Sequence, residues 1–180
     1  MAVPDVSIRV VRPDDAPLLS RLEVENRVHL SAGGPLRSDD YVSVEGQRTL
    51  IDALLEQYDA DTCVPWVIEL DRTVVGRILL AGIVRGGFSS ASVGYWVCAS
   101  VGGRGIASAA LALAVEQAFG ELGLHRLEAA TTLANVASAR VLAKAGFEEY
   151  GVAPAYLFMR DGWTDHRMFQ LLNDDWVEPS

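Results

Sequence analysis

Val97-Cys98-Ala99-Ser100-Val101-Gly102-Gly103-Arg104-Gly105-Ile106-Ala107 is the stretch on which the fold turns. It leaves Ser92 to Cys98, a segment that reads as a strand. It then crosses a glycine-rich turn and enters an apolar helix running from about Ile106 to Leu122. Bare backbone N–H groups at a helix N-terminus, with no side chains in the way, make an anion site. The same glycines also suit a simple tight turn, and this stretch alone leaves both readings open. Two diphosphate motifs are excluded by inspection. A Walker loop ends in Gly-Lys-Ser/Thr, where this chain has Gly105-Ile106-Ala107. A dinucleotide fingerprint needs G-x-G-x-x-G in a parallel unit near the start of the fold, and none is present.

Working outward, Val6 to Val11 reads as a strand. Asp14-Asp15 can cap a following helix that carries Leu18, Leu19, Leu22, Val24 and Leu30. Ser31 to Ser43, with Gly33-Gly34-Pro35, is the longest irregular stretch and the natural place for a flap. Val44 to Tyr58 is a second helix. Trp66–Leu70 and Val74–Val84 form an antiparallel pair about Asp71-Arg72. Past the central segment, Arg126–Thr132 is a strand and Val136–Lys144 a short helix closed by Gly146. Phe147–Met159 and Trp163–Leu172 make a final hairpin about Asp161-Gly162. The order β-α-α-β-β-β-α-β-α-β-β is that of an α/β (α+β) protein, with a mixed, mostly antiparallel central sheet flanked by helices. No linker interrupts it, so residues 1–180 are expected to form one domain.

The 180 residues are 50% hydrophobic and 22% charged, which is globular composition rather than disordered or fibrous. A net charge of −9, from 15 basic and 24 acidic residues, provides no field for nucleic acid and suits a cationic partner such as an amine or a basic protein. Lys144 is the sole lysine. Cys63 and Cys98 match no metal spacing, so no metal is expected, and both read as reduced thiols in a cytoplasmic protein. No apolar run spans a bilayer, and Met1-Ala2-Val3-Pro4-Asp5 lacks the basic and apolar regions of a signal peptide. The sequence carries no signal for oligomeric state.

A second constellation narrows the reading. Asn135 follows a strand, and Ser138 lies three residues on, in the first turn of a helix. Alone, the pair is an ordinary N-cap and a first-turn residue. Val97 through Ala107, together with Asn135-x-x-Ser138 and Leu142-x-Lys144-x-Gly146-Phe147, resembles the GNAT acetyltransferases. Within that family the chain is similar to the RimJ/RimL branch, closer to RimJ. The residues concerned are Val84-Arg85-Gly86-x-Phe88, Gly94-Tyr95, Glu25-Asn26-Arg27, Tyr156-Leu157, Asp161-Gly162-x-Thr164-Asp165-His166 and Asp175-Trp176.

The resemblance implies a GNAT fold and acetyl-CoA as cofactor, with coenzyme A as product. It places Val97 and Cys98 against the pantetheine arm and Gly102, Gly103, Arg104, Gly105, Ile106 and Ala107 at the pyrophosphate. Asn135 would touch the cofactor arm and Ser138 the thioester sulfur. Four departures concern the loop and the pocket. Gly102 stands where the family has Gln or Arg, Ala130 and Ala155 occupy acidic positions of other branches, and Ser31-Ala32-Gly33 replaces a tryptophan region. Glu25 is the matched acid on the substrate side; it also suits a solvated carboxylate paired with Arg21 or His29. Tyr95 and Trp96 read as core and groove lining, and His125 and His166 as structural.

The expected activity is direct acetyl transfer to a primary amine, foremost the N-terminal α-amine of a ribosomal-protein-like substrate beginning with Ala or Ser. Ser138 would assist the departing thiolate, and Glu25 or a backbone carbonyl would hold an ordered water for the amine's proton. The alternatives are a small-molecule amine acetyltransferase and a non-catalytic acyl-CoA-binding protein.

Overall fold

Cys63–Leu70 holds one charged residue, Glu69, and becomes β2, a strand buried along nearly its whole length. It can be so because sheet neighbours and helices cover both of its faces. In this computed structural model, which describes residues 5–160 and 162–177, β2 pairs antiparallel with β1 (Val6–Val10) and β3 (Thr73–Val84). The sheet continues through β4 (Ser90–Val97), β5 (Arg126–Thr132), β7 (Gly162–Leu172) and β6 (Glu148–Met159), in the order β1-β2-β3-β4-β5-β7-β6. Every pairing is antiparallel except β4–β5. The N-terminal stretch from Met1 to Pro4 and Asp161 of the hairpin turn, both read above, lie outside the described residues.

The expected sheet is therefore present, seven-stranded and mixed. Register assigns its two faces. Arg9, Val67, Arg77 and Trp96 are successive partners and share one face, where Arg77 donates to Gln47 Oε1 (3.2 Å). Gln47 belongs to α4 (Val44–Asp59), so that face lies under α4 and its neighbour α1 (Ala16–Glu25). Ile8, Ile68, Ile78 and Tyr95 form the other face, against which α5 (Ile106–Gly120) buries Ile106, Ala110, Leu111, Ala114 and Ala118. α6 (Val136–Lys144) follows β5 and ends at Gly146, whose φ of +88° is the left-handed conformation that glycine adopts most readily. Among the described residues no helix is long and apolar enough to cross a membrane.

Three local expectations are corrected. The single first helix is two: α1 stops at Asn26, and α2 (Arg27–Ser31) restarts, carrying Leu30. The Asn26 side chain causes the break. Its Nδ2 donates to Leu22 O (2.8 Å), and its Oδ1 accepts from the Ala99 amide (2.8 Å), far along the chain. Asp15 takes the N-cap position of α1 without capping it. Its carboxylate accepts instead from the Arg9 guanidinium (2.8 Å) and the Arg12 amide (2.7 Å). The Ser31–Ser43 stretch is not wholly irregular either. It contains α3 (Asp39–Val42), started by Ser38, whose Oγ accepts from the Tyr41 amide (3.1 Å). Arg27 pins this stretch by donating to Asp39 (2.7 Å) and to Arg37 O (2.9 Å), and Ser20 donates to Val42 O (2.7 Å).

Candidate active site

The site begins where two parallel strands part. β4 and β5 pair only from Ser90 to Ser92 and from Arg126 to Glu128. Beyond this, β4 keeps β3 as its partner, β5 keeps β7, and a seam opens between them. Crevices at the carboxyl ends of diverging strands are the usual ligand sites of open sheets. The Cys98 amide donates to Val75 O (2.8 Å), which makes Val97–Gly76 a non-hydrogen-bonded pair in the β3–β4 ladder. The N–H and C=O groups of Val97, and those of Tyr95 two residues earlier, therefore point into the seam. Cys98 itself is spent, because its amide goes to Val75 and its carbonyl accepts from Val101 (3.1 Å). Of the two residues expected against the pantetheine arm, Val97 is the one with backbone free to pair. The Cys98 thiol is buried, and burial pushes its pKa up; the neighbouring charge of Glu25 pushes the same way, while a hydrogen bond with Asn26 opposes both.

The seam leads to the glycine turn. A 3₁₀ turn, Ala99–Val101, uses the Gly102 amide, which donates to Ala99 O (3.1 Å). The amides from Gly103 through Ala107 have no backbone acceptor among the described residues. Gly103 and Gly105 have φ of +72° and +83°, and no atom lies within 4 Å of where a Cβ would sit on either. The result is an open cradle of N–H groups at the positive end of α5, suited to an anion. Arg104 is exposed beside it. The residues from Gly102 to Ala107 thus converge, with five amides rather than six available to a ligand.

Across the seam stands the start of α6. Asn135 is its N-cap, with Oδ1 accepting from the Ser138 amide (3.1 Å). A Cβ on Gly33 would lie 2.6 Å from Asn135 Nδ2, so the Ser31–Ser43 stretch reaches over to this point, and a side chain there would have to displace the Asn135 amide group. Ser138 is half-buried, and its Oγ lies 3.1 Å from the Tyr95 hydroxyl. Burial pushes the Tyr95 phenol up to about 12, although the Ser138 hydrogen bond pulls the other way. The group therefore stays protonated across neutral pH. The sequence reads Tyr95 as core and groove lining; its contact with Ser138 is one that strand alternation alone does not reveal.

Glu25 is the last residue of α1, largely exposed and 3.9 Å from Arg21 in an i,i+4 pair. The carboxylate that turns inward is Glu23, 2% exposed, with no hydrogen-bond partner for Oε1. A signal for it existed. Glu23 is i+4 from Leu19 and i−3 from Asn26, so it shares their buried stripe. His166 is buried, with Nδ1 2.9 Å from Thr164 O, while the ring of His125 packs edge-on against Trp176. Ala130 and Ala155 bring no carboxylate, and at Ala155 the backbone amide donates to Asp165 (2.8 Å).

Comparison with known proteins agrees with this geometry. Residues 5–148 match the family model described as an acetyltransferase (GNAT) domain. The chain is 36% identical over 172 residues to the probable N-acetyltransferase YjcK of Bacillus subtilis, covering 94% of this chain and 95% of that protein. It is 26% identical to the ribosomal protein uS5-alanine N-acetyltransferase of Escherichia coli, covering 94% and 89%. Among solved structures, RimJ of Mycobacterium smegmatis in complex with CoA-disulfide superposes with a TM-score of 0.91 at 33% identity, covering 94% of this chain and 83% of that one.

Proposed function

The chain belongs to the GNAT acetyltransferase family, in its RimJ/RimL branch, and from that premise we propose that this acetyl-CoA-dependent N-acetyltransferase acts on the N-terminal α-amine of a protein beginning with a small residue, Ala or Ser. We read residues 1–180 as the one catalytic domain. The observation that carries the reading is the seam, which offers a free strand edge and a pair of neutral hydroxyls but no carboxylate at positions 130 or 155. Such a site suits an amine that needs little deprotonation. An α-amine, with pKa about 7.7–8.0, is substantially neutral near pH 7.5, whereas a lysine at about 10.4 is almost wholly protonated. The gap of about 2.5 units corresponds to roughly 3 kcal/mol of deprotonation that an α-amine spares the site. The uS5-alanine specificity of the E. coli relative supports the same acceptor.

The residues fit acetyl-CoA by the test of their own unsatisfied groups. The amides of Gly103, Arg104, Gly105, Ile106 and Ala107 would hold the pyrophosphate, and Val97 the pantetheine arm. Asn135 Nδ2 is the group left to touch that arm, since its Oδ1 caps α6. Acetyl-CoA supplies an activated thioester carbonyl. The Val97 N–H, fixed in the seam, is placed to polarise that oxygen without reorganising. Ser138 Oγ–H donates at the departing sulfur, and the Tyr95 O–H behind it holds the serine rotamer and can replace the proton given up. Glu25, exposed at the end of α1 and 3.9 Å from Arg21, is retained as the matched acid that could hold an ordered water for the amine's proton.

The test is kcat/KM at pH 7.5 on an Ala-initiated peptide, on the same peptide N-capped with one internal lysine, and on a polyamine. The α-amine peptide should be preferred. If the capped peptide or the polyamine is the better substrate, the reading is wrong and the protein is a lysine or small-amine acetyltransferase.

A further inference from the structure

Asn26 is a buried amide side chain, 8% exposed, with both of its ends engaged. Nδ2 donates to Leu22 O (2.8 Å), one turn back in α1, and that bond fixes the amide plane so that Oδ1 faces out of the helix. Oδ1 accepts from the Ala99 N–H (2.8 Å), 73 residues along the chain. Asparagine suits this pair of contacts because it carries a donor and an acceptor on one rigid plane. Ala99 opens the turn that leads from β4 into the glycine cradle. Among the described residues, this is the single hydrogen bond joining any of the helices α1, α2, α3 and α4 to the segment from Ala99 to Ala107.

The turn has few other anchors. The Val101 N–H donates to Cys98 O (3.1 Å) and the Gly102 N–H to Ala99 O (3.1 Å), so these bonds hold the turn's shape but tie it to nothing else. The Cys98 N–H, donated to Val75 O (2.8 Å), fixes it to the sheet. Val101 and Ile106 are buried and keep the segment against the core. Packing of that kind is non-directional, and it sets a position rather than the heading of an N–H group. The Cys98 bond is therefore a pivot, and the bond from Ala99 to Asn26 is what stops rotation about it. Ala99 is itself exposed, so without Asn26 its N–H can turn to water. The amides from Gly103 to Ala107 follow directly, and their value to an anion depends on their pointing at one place.

We propose that Asn26 is a positioning residue for acetyl-CoA, orienting the cradle by holding Ala99 rather than by contact with the cofactor. The proposal rests on the reading of the cradle as the pyrophosphate site and is independent of which amine is acetylated. Val97 lies before the pivot and is held by the β3–β4 ladder, so its N–H keeps its heading whatever stands at position 26. The loss of Asn26 is therefore felt in affinity for the cofactor and not in the rate of acyl transfer.

The test compares Asn26→Leu and Asn26→Asp with wild type. Leucine fills similar space without either hydrogen bond, while aspartate keeps an acceptor for the Ala99 N–H and loses the donor to Leu22 O. Hydrogen exchange followed by NMR in the ligand-free protein should find the Ala99 amide protected in wild type and in Asn26→Asp, and open in Asn26→Leu. By calorimetry, Asn26→Leu should raise the Kd for acetyl-CoA roughly five- to tenfold, the scale of one hydrogen bond. KM for acetyl-CoA should rise in parallel, with kcat at saturation within about twofold of wild type. Asn26→Asp should bind acetyl-CoA more tightly than Asn26→Leu, even where its Tm is the lower of the two. The proposal is overturned if Ala99 exchanges freely in wild type, if Asn26→Leu binds acetyl-CoA as wild type does, or if kcat falls while KM holds. It is also overturned if either variant fails to fold or if affinity simply follows Tm, which would mark a structural asparagine. Gly105→Ala and Gly105→Glu run alongside. Equal affinity for these two overturns the cradle reading and the proposal with it, whereas a weakened Gly105→Glu beside an unaffected Asn26→Leu overturns the proposal alone.

Discussion

Tyr95→Phe removes one oxygen that lies 3.1 Å from Ser138 Oγ, and the consequence can be worked from that contact. A hydrogen bond between neutral groups is worth about 0.5–1.5 kcal/mol net, and about 1.36 kcal/mol is tenfold in rate, so kcat should fall about 2- to 13-fold. Ser138→Ala removes the donor itself, and acid assistance is worth about 10²–10⁴-fold. If Tyr95 acts only through Ser138, the double variant should be no slower than Ser138→Ala, within about twofold, and the coupling should equal the whole Tyr95 effect. The assay is thiol release under saturating acetyl-CoA and amine, with a rapid-mixing measurement showing that chemistry limits turnover. Binding of acetyl-CoA is measured alongside and should not change in either single variant. Two results refute the reasoning. One is an additive double variant, which would make the tyrosine a second and independent donor. The other is an unchanged kcat in Ser138→Ala, which would remove the serine from the reaction. The phenol, held near 12 by burial, should contribute no pH dependence between 6 and 9.

The cradle and the cap yield separate predictions. Gly105→Ala forces a side chain onto φ +83° and should cost roughly 1–2 kcal/mol of stability, read as a lower Tm, while leaving acetyl-CoA affinity within a few-fold. Gly105→Glu adds a negative charge facing the same amides and should raise the Kd at least tenfold beyond Gly105→Ala; equal affinity for the two would exclude a phosphate there. At the cap, Asn135→Asp keeps the acceptor oxygen for Ser138 N–H and should preserve Tm, whereas Asn135→Ala should cost about 1 kcal/mol. If Nδ2 touches the cofactor arm, both variants weaken acetyl-CoA binding; affinity unchanged in Asn135→Asp would leave that residue a cap alone.

What the sequence revealed, and what it concealed, follows the range of the interactions. β5 and α6 fall at the expected residues because their signals are local: an alternating run, an asparagine cap and a left-handed glycine. The break at Asn26 was hidden because the partner that fixes it, the Ala99 amide, is 73 residues away. The short α3 escaped notice because Gly33-Gly34-Pro35 dominates its neighbourhood, although Ser38 followed by Asp39-Asp40 is a fair N-terminal signature. At the site, the glycine cradle was legible from composition and spacing. The seam was not, since it depends on where a parallel ladder stops, and no residue between Ser92 and Val97 announces that. Motif matching singles out Glu25, whereas the buried carboxylate of the same helix is Glu23, which the stripe through Leu19, Leu22 and Asn26 marks by periodicity.

β4 links these features through simple alternation. Its odd-numbered residues Tyr95 and Val97 give the seam their backbone groups, and Tyr95 sends its side chain toward α6 and Ser138. Trp96 faces the opposite layer, where its partner Arg77 lies within electrostatic reach of Glu23. A slip of one residue in the β3–β4 register would carry the phenol to the carboxylate's side and turn the Val97 N–H back into the sheet. The Tyr95 phenol and the buried Glu23 carboxylate thus stand on opposite faces of one strand. The seam needs a rigid β4, and two contacts supply it: β3 along one edge, and beyond the end of β4 the Ala99 amide, which donates to Asn26 Oδ1. Asn26 belongs to the same helical stripe as Glu23, so the element that fixes the strand's end also sets the carboxylate's distance from it.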